Sequence, residues 1–291
     1  MKTQPSPAIV LAAFGTSDPE ALTALINIKQ RVALSFPNIE VRLAFTSGFI
    51  RRIWRKRSGD CEFQAAHPGL DDFYGVLNPL STLAALQENG PCPVLVQSLH
   101  VAEGSEYLDL KSLVEQLAGI RTQQPSMRPF PLIALGEPAL GDGSANYISR
   151  AAEALGPLAF DAVNEGGALV LMGHGNEHMK MTVYGDLERE LRRLHGPHVH
   201  IGLVEGEPGP DRVLEAVVKG GGVRRVVLAP LMVVAGEHAK KDMAAEGTES
   251  WAGKFKSRGF EVSVRLTGLG SLDSWADIYV EHLKRLAGEL K

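Results

Sequence analysis

The sequence has few of the residues that build covalent or thiolate frameworks: its 291 residues include only two cysteines, Cys61 and Cys92, with no CxxC pair. A disulfide framework or a cysteine-based zinc site is therefore disfavoured. Long apolar runs are also missing, since none approaches the roughly 20 residues that cross a bilayer. The formal net charge of −4 lacks the basic excess typical of nucleic-acid binding. We expect a cytoplasmic protein with neither nucleic-acid nor membrane partners.

Two nucleotide-binding motifs and one serine-hydrolase motif are absent as well. The sequence has no GxGxxG after a strand pattern, no GxxxxGK[ST] and no GxSxG. These absences count against dinucleotide binding, nucleotide triphosphate binding and serine hydrolysis, so we expect no nucleotide cofactor. One basic run beside Trp54 is either a solvated helix face or a patch that meets an acidic small molecule. Its residues are Arg51, Arg52, Arg55, Lys56 and Arg57.

Short apolar runs alternate with amphipathic stretches along the whole chain, which indicates an α/β protein with parallel sheets covered by helices. Helices are predicted at 19–35, 184–194, 212–218 and 274–290. The strand candidates are AIVLAAF, EVRLAFT, CPVLVQSL, FPLIAL, GALVLMG, VHIGLVEG, VRRVVLAPLMVVA and EVSVRLTGL.

The most informative feature is an internal repeat. VLAAFGTS at 10–17 matches LVLMGHGN at 169–176, VRLAFTS matches HIGLVEG, and VLVQSLHVAEGSEY matches VVLAPLMVVAGEHA. The offset shortens before the third pair, so the first half carries an insertion at about residues 50–75. We predict two similar α/β lobes, 1–145 and 146–291, with the active site in the cleft between them.

The repeat also shows where the two halves differ at the ends of their strands. The second half places there His174, Glu205 and His238. The corresponding residues of the first half are Thr16, Ser47 and Glu106. Two imidazoles and a carboxylate form the ligand set of an open catalytic metal site. This asymmetry predicts that the second half binds a metal, while the first half helps to hold a partner molecule.

The segment MGHGNEH places His178 four residues after His174. An HExxH zinc helix is rejected, because the glutamate directly precedes the second histidine and the glycines are poor helix formers. We expect Gly173 and Gly175 to let the backbone approach a bulky ligand, and His178 to face the substrate. A further run, HGPHVH, is predicted to be a solvated connection rather than a metal site; its histidines are His195, His198 and His200.

Together, AAFGTS, QSLHVAEGSEY, MGHGNEH, VEGEP and LAPLMVVAGEHAKKDMA resemble the anaerobic sirohydrochlorin cobaltochelatases, over about residues 9–283. Those enzymes are class II chelatases, whose fold is shared with protoporphyrin ferrochelatase. The resemblance implies ATP-independent insertion of Co²⁺ into sirohydrochlorin for cobalamin synthesis, with His174, Glu205 and His238 as the metal ligands. The family includes assemblies larger than dimers, which leaves a homo-oligomer open.

Two positions depart from the family pattern, because Met181 and Lys241 stand where the family commonly has asparagine. Neither position is a proposed ligand, so the departures bear on substrate orientation. We expect the first helix N-terminus to bind substrate carboxylates and an aromatic ring to pack on the macrocycle. The predicted substrate-binding residues are Phe14, Gly15, Thr16, Ser17, His100 and His178.

The ligand set does not select the metal, because imidazole accepts cobalt, iron, nickel and zinc. An Fe²⁺ or Ni²⁺ chelatase of the same architecture is therefore the nearest alternative. A protein that carries tetrapyrrole or metal without joining them is the alternative from another class.

Overall fold

A computed structural model describes residues 7–88, 90–164, 166–176 and 182–289 of the chain. These residues form two compact units. The first contains the described residues up to Ala139 and again from Ala276 onward, and the second is Leu140–Trp275. His178 and Met181 lie outside the described residues.

Each unit is built on a four-stranded parallel sheet with the same strand order. In the first unit the order is β2-β1-β3-β4 and in the second it is β6-β5-β7-β8. This confirms the predicted α/β fold of two similar parallel sheets. The strands are β1 (Ala8–Ala13), β2 (Glu40–Phe45), β3 (Val94–Ser98), β4 (Ile133–Gly136), β5 (Gly167–Gly175), β6 (Val199–Glu205), β7 (Arg225–Leu231) and β8 (Glu261–Val264).

Helices connect the strands, as parallel pairing requires. Between β2 and β3 the chain forms four helices, whereas one helix joins β6 to β7. The helices are α1 (Thr23–Ser35), α2 (Gly48–Arg57), α3 (Cys61–Ala66), α4 (Asp71–Tyr74), α5 (Pro79–Gln87), α6 (Ser105–Ala118), α7 (Ala145–Asn164), α8 (Val183–His195), α9 (Pro210–Gly220), α10 (Trp251–Ser257) and α11 (Asp273–Glu289).

The central strands explain the continuous apolar runs of the sequence. Every residue of β1 and β3 is buried, because helices cover both faces of a parallel sheet. The edge strands β2 and β8 are only partly buried and carry charged residues among the apolar ones. Each sheet therefore has its own apolar core, one around Val10 and Val96 and the other around Val170 and Leu228.

The last helix, α11, packs on the first unit from Ala276 onward. Arg31 of α1 holds Asp277 through two hydrogen bonds of 2.8 and 2.6 Å. The phenol of Tyr279 donates to the backbone carbonyl of His100 at 3.1 Å. The two ends of the sequence thus meet in one core. No helix among the described residues combines the length and apolar composition that crossing a membrane requires.

Candidate metal-binding site

The centre of the candidate site lies where β5 and β6 end side by side. Their parallel register pairs Gly175 with Glu205, which brings the side chain of His174 next to the carboxylate. Nδ1 of His174 lies 3.8 Å from Oε2 of Glu205 and 3.2 Å from the carbonyl oxygen of Gly175. Two of the three predicted ligands are therefore neighbours in the structure.

Two glycines make this close approach of the strands possible. Gly175 has a φ of +79°, and a Cβ there would stand 1.9 Å from the carbonyl oxygen of Glu205. A Cβ on Gly173 would lie 3.0 Å from Leu203 and 3.3 Å from Tyr184. The atoms that need this space belong to β6 and α8, and the approach of a bulky ligand to these glycines stays a prediction.

Tyr184 contacts the backbone of the turn at Gly175. It is buried, and burial raises the pKa of its phenol to about 12, although a hydrogen bond from the backbone N–H of Gly175 acts in the opposite direction. The phenol therefore stays protonated at neutral pH and anchors the backbone directly after His174.

The third predicted ligand, His238, reaches the same place from the loop after β7. The ring centroids of His174 and His238 are 4.9 Å apart, and the ring planes cross at 89°. Nδ1 of His238 lies 2.6 Å from Oδ2 of Asp242, across a turn of π-helix at Ala239–Met243. Asp242 is not among the residues predicted from the sequence, although its spacing of four residues from His238 is the signal that could have identified it.

All of these side chains are half-exposed: the exposed fractions are 47% for His174, 42% for Glu205 and 44% for His238. Within the described part of the chain, no three His, Cys, Asp or Glu side chains are already arranged around one metal position. Half-exposed side chains can rotate, so the three groups have the chemistry of a metal site and the freedom to close on an ion and to release it.

The repeat can be aligned more precisely from the backbone. A glycine of positive φ follows β1 and ends β5: the φ angles are 95° at Gly15 and 79° at Gly175. The residue before that glycine is Phe14 in the first unit and His174 in the second. The expected correspondence of Thr16 with His174 is therefore wrong, because Phe14 occupies that position.

Phe14 is 48% exposed at the end of β1, so its ring is accessible to a ligand. The predicted position of Thr16 and Ser17 at a helix N-terminus is wrong, since the first helical turn starts at Glu20 and α1 follows it. Thr16 is buried, and its hydroxyl accepts the backbone N–H of Asp18 at 3.1 Å. Its buried side chain is used in local structure.

His100 follows β3, and its Nδ1 lies 2.7 Å from the hydroxyl of Ser98. Burial lowers the pKa of this imidazole to about 4, so His100 is neutral at physiological pH. It therefore brings no positive charge to a substrate carboxylate. Within the described residues its Nε2 is enclosed without a hydrogen-bond partner.

The basic run lies on α2, and two of its members hold loops in place. Arg51 donates to the carbonyl of Thr46 at 2.7 Å, and Arg57 donates to that of Ser17 at 2.5 Å. The guanidinium of Arg57 also stands 4.7 Å from the ring centre of Trp54. These contacts stabilise the loops after β1 and β2, while the other three basic residues are exposed.

The HGPHVH run is not a solvated connection throughout. His200 lies within β6 and is only 5% exposed. Its Nδ1 accepts a hydrogen bond of 2.8 Å from Arg192 of α8. The apolar neighbours on both sides of His200 already indicated a strand, and the arginine satisfies the buried ring.

Solved structures show which class of protein has this fold. SirB from Bacillus subtilis with Fe³⁺ superposes with a TM-score of 0.62 at 12% identity, covering 97% of this chain and 95% of SirB. The sirohydrochlorin chelatase SirB from Bacillus subtilis subspecies spizizenii in complex with cobalt gives 0.61 at 11% identity, covering 98% and 96%. The fold is that of the chelatases.

Sequence comparisons identify the family. The family model described as Cobalt chelatase (CbiK) matches residues 7–287, and the chain belongs to this family. It is 34% identical to the sirohydrochlorin cobaltochelatase CbiKC of Nitratidesulfovibrio vulgaris, over 94% of this chain and 88% of that protein. It is 30% identical to the sirohydrochlorin cobaltochelatase of Salmonella typhimurium, over 95% and 94%. The resemblance seen in the sequence motifs is confirmed.

Proposed function

We propose that this protein inserts Co²⁺ into sirohydrochlorin, with His174, Glu205 and His238 as the groups that hold the incoming metal. The observation that carries the proposal is their convergence at the carboxyl edge of the second sheet, in a chain of the cobalt chelatase family. Two imidazoles and one carboxylate bind divalent cobalt and leave coordination positions open.

The reaction replaces two pyrrole N–H protons by one divalent cation. A site with three protein ligands and open coordination positions holds a metal less tightly than a closed site with four ligands. Such a site suits an ion that must be transferred to the macrocycle. An imidazole side chain can accept a proton near neutral pH. We assign one of the two protons to His174, which gains it as it loses the metal, and the second proton passes to solvent.

The first unit supplies the surface for the macrocycle in this proposal. Phe14 occupies the position that corresponds to His174 and presents an exposed aromatic ring. A flat tetrapyrrole packs on such a ring through dispersion and stacking. In this proposal the metal and the macrocycle are therefore held at equivalent positions of the two units.

Insertion of Fe²⁺ or Ni²⁺ is the alternative within the same chemistry, since geometry and metal supply decide selectivity more than the ligand types do. SirB has been solved both with Fe³⁺ and with cobalt. A carrier protein is the alternative from another class. A carrier would bind metal and pigment, but after mixing the pigment would keep the visible spectrum of the metal-free macrocycle.

The test is a chelatase assay with purified sirohydrochlorin, followed by absorbance with Co²⁺, Fe²⁺ and Ni²⁺ in parallel. The wild-type chain should metallate the pigment most rapidly with Co²⁺. Loss of a direct ligand should cost more than the 10- to 100-fold typical of an outer-sphere partner, so His174→Ala and His238→Ala should be nearly inactive.

His195→Ala is the matched control, since this histidine ends α8 in the same unit but outside the site. It should metallate sirohydrochlorin at the wild-type rate. Wild-type rates in both His174→Ala and His238→Ala would refute the proposed site. A faster reaction with iron or nickel than with cobalt would assign the chain to that other metal.

A further inference from the structure

The contact between His238 and Asp242 goes beyond the ligand set. Oδ2 of Asp242 lies 2.6 Å from Nδ1 of His238, a distance typical of a charge-assisted hydrogen bond. The two side chains are exposed to similar extents, 44% and 43%. The π-helical turn at Ala239–Met243 joins the two residues, so the contact is local in the sequence.

The chemistry of this contact fixes the tautomer of the imidazole. An ionised carboxylate only accepts hydrogen bonds, so Nδ1 of His238 carries the proton and Nε2 carries the lone pair. His174 has the same polarity, because its Nδ1 faces the carbonyl oxygen of Gly175 at 3.2 Å. Both rings therefore direct their protein hydrogen bonds through Nδ1 and retain Nε2 as the metal-binding atom.

We propose that Asp242 is a positioning residue that holds His238 in the tautomer and orientation in which Nε2 binds the metal. The identity of that metal as Co²⁺ rests on the function proposed above. A carboxylate partner orients a ligating histidine and makes it a stronger ligand than a carbonyl partner does. His238 is thereby the stronger of the two imidazole ligands, and His174 is the one that releases the metal more readily.

The same turn contains a second pair that serves as an internal control. Glu237 and Lys241 have the same spacing of four residues, and their charged groups lie 2.6 Å apart. Both side chains are more exposed than those of the first pair, at 59% and 74%, and neither is an imidazole. Breaking this pair perturbs the turn without changing the partner of His238.

The experiment compares Asp242→Asn, Asp242→Glu, Lys241→Gln and His238→Ala in the full chain. Co²⁺ affinity and coordination are measured by titration, following the visible ligand-field absorption. The tautomer of His238 is read in the metal-free protein from long-range ¹H–¹⁵N correlation spectra, and thermal unfolding monitors the fold. Asp242→Asn should weaken Co²⁺ binding about 10- to 100-fold, because an amide can donate to Nδ1 and so favour the proton on Nε2.

Asp242→Glu should recover most of the affinity, and Lys241→Gln should bind Co²⁺ as the wild type does. The inference is overturned if Asp242→Asn keeps both the affinity and the Nδ1–H tautomer, or if Lys241→Gln loses as much affinity as Asp242→Asn. His238→Ala separates the two proposals. If His238→Ala keeps the wild-type Co²⁺ affinity, the proposed metal site itself is wrong. If His238→Ala loses Co²⁺ affinity but Asp242→Asn does not, only the proposed role of Asp242 is wrong.

Discussion

At the scale of single residues, the site depends on Gly175 as much as on its ligands. The positive φ of Gly175 turns the chain after His174, and the missing side chain lets β5 and β6 end in contact. A side chain at this position would have to displace the backbone of Glu205. The backbone geometry at the ends of β5 and β6 and the positions of the proposed ligands His174 and Glu205 therefore both depend on Gly175.

Gly175→Ala should destabilise the fold and weaken cobalt binding together. An alanine at positive φ with a backbone clash costs on the order of 1–3 kcal/mol of unfolding free energy. Chemical denaturation and Co²⁺ titration measure the two effects. Gly185→Ala is the control, since Gly185 lies in α8 with open space around its Cα and should gain about 0.5–1 kcal/mol. Wild-type stability and affinity in Gly175→Ala would contradict this role.

The three proposed ligands could be selected from the sequence, because the repeat placed His174, Glu205 and His238 at strand ends. Asp242 could not be selected in this way, since an acid four residues after a histidine is common on surface helices. Only the 2.6 Å contact with His238 distinguishes it. Likewise, His178 stays a prediction, because it lies outside the described residues.

At the scale of secondary-structure elements, α8 protects the exposed edge of β6. Glu188 accepts the backbone N–H of Ile201 at 2.5 Å, and Arg192 donates to the carbonyl of Val199 at 2.7 Å. These two side chains, which also pair with each other at 2.9 Å, satisfy backbone groups that an edge strand leaves open. His200 completes the cluster through Arg192.

This cluster makes the stability of the protein sensitive to acid. Burial, followed by the charge of Arg192 and by His198, lowers the pKa of His200 to about 4. The unfolded chain takes up the proton near pH 6.5, so the stabilisation is complete above that pH and is lost as the pH falls toward 4. His100 has a similar shift, whereas burial raises the pKa of Glu188 and opposes it.

His200→Gln keeps an acceptor for Arg192 and removes the titration. Between pH 7 and pH 5, the wild type should lose on the order of 1–2 kcal/mol more unfolding free energy than this variant. Urea denaturation at the two pH values measures the difference. Equal losses in both proteins would show that His200 does not carry the acid sensitivity.

The elements differ in how clearly the sequence predicted them. The eight strands among the described residues fall at predicted strand segments. The central strands are continuously apolar because helices cover both faces, whereas the edge strands β2 and β8 include charged residues. The helices α3 and α4 are short and lie in the region of 50–75, where the sequence indicated only additional residues. Their apolar faces are too small to produce a helical period, and the cluster of Trp54, Phe63 and Phe73 holds them in place.

At the scale of the whole molecule, one architecture is used twice with different chemistry. Both sheets have the same strand order, and both have a glycine of positive φ after the first strand. The equivalent side chains are the exposed ring of Phe14 in the first unit and the proposed metal ligand His174 in the second. We therefore expect macrocycle binding and metal binding to be separable by mutation.

Phe14→Ala should raise the KM for sirohydrochlorin about 5- to 10-fold, through lost ring packing, and leave Co²⁺ affinity unchanged. His174→Ala should weaken Co²⁺ binding and leave the affinity for metal-free sirohydrochlorin unchanged. Steady-state kinetics of Phe14→Ala, together with separate Co²⁺ and pigment titrations of both variants, test this separation. Ser47→Ala is a useful comparison, because Ser47 is equivalent to Glu205 but caps α2 at 3.3 Å. It should lose about 1 kcal/mol of stability and no metal affinity. A loss of Co²⁺ affinity in Phe14→Ala would disprove the division.

The return of α11 to the first unit has a consequence for synthesis on the ribosome. Nearly all of the first unit is translated before the second, yet the partners of Arg31 and of the His100 carbonyl are Asp277 and Tyr279. All residues of the second unit have been translated when synthesis reaches Trp275, whereas Asp277 and Tyr279 are added only afterwards. N-terminal domains usually fold first as a chain emerges. In this protein, we expect the unit that is translated first to finish folding last.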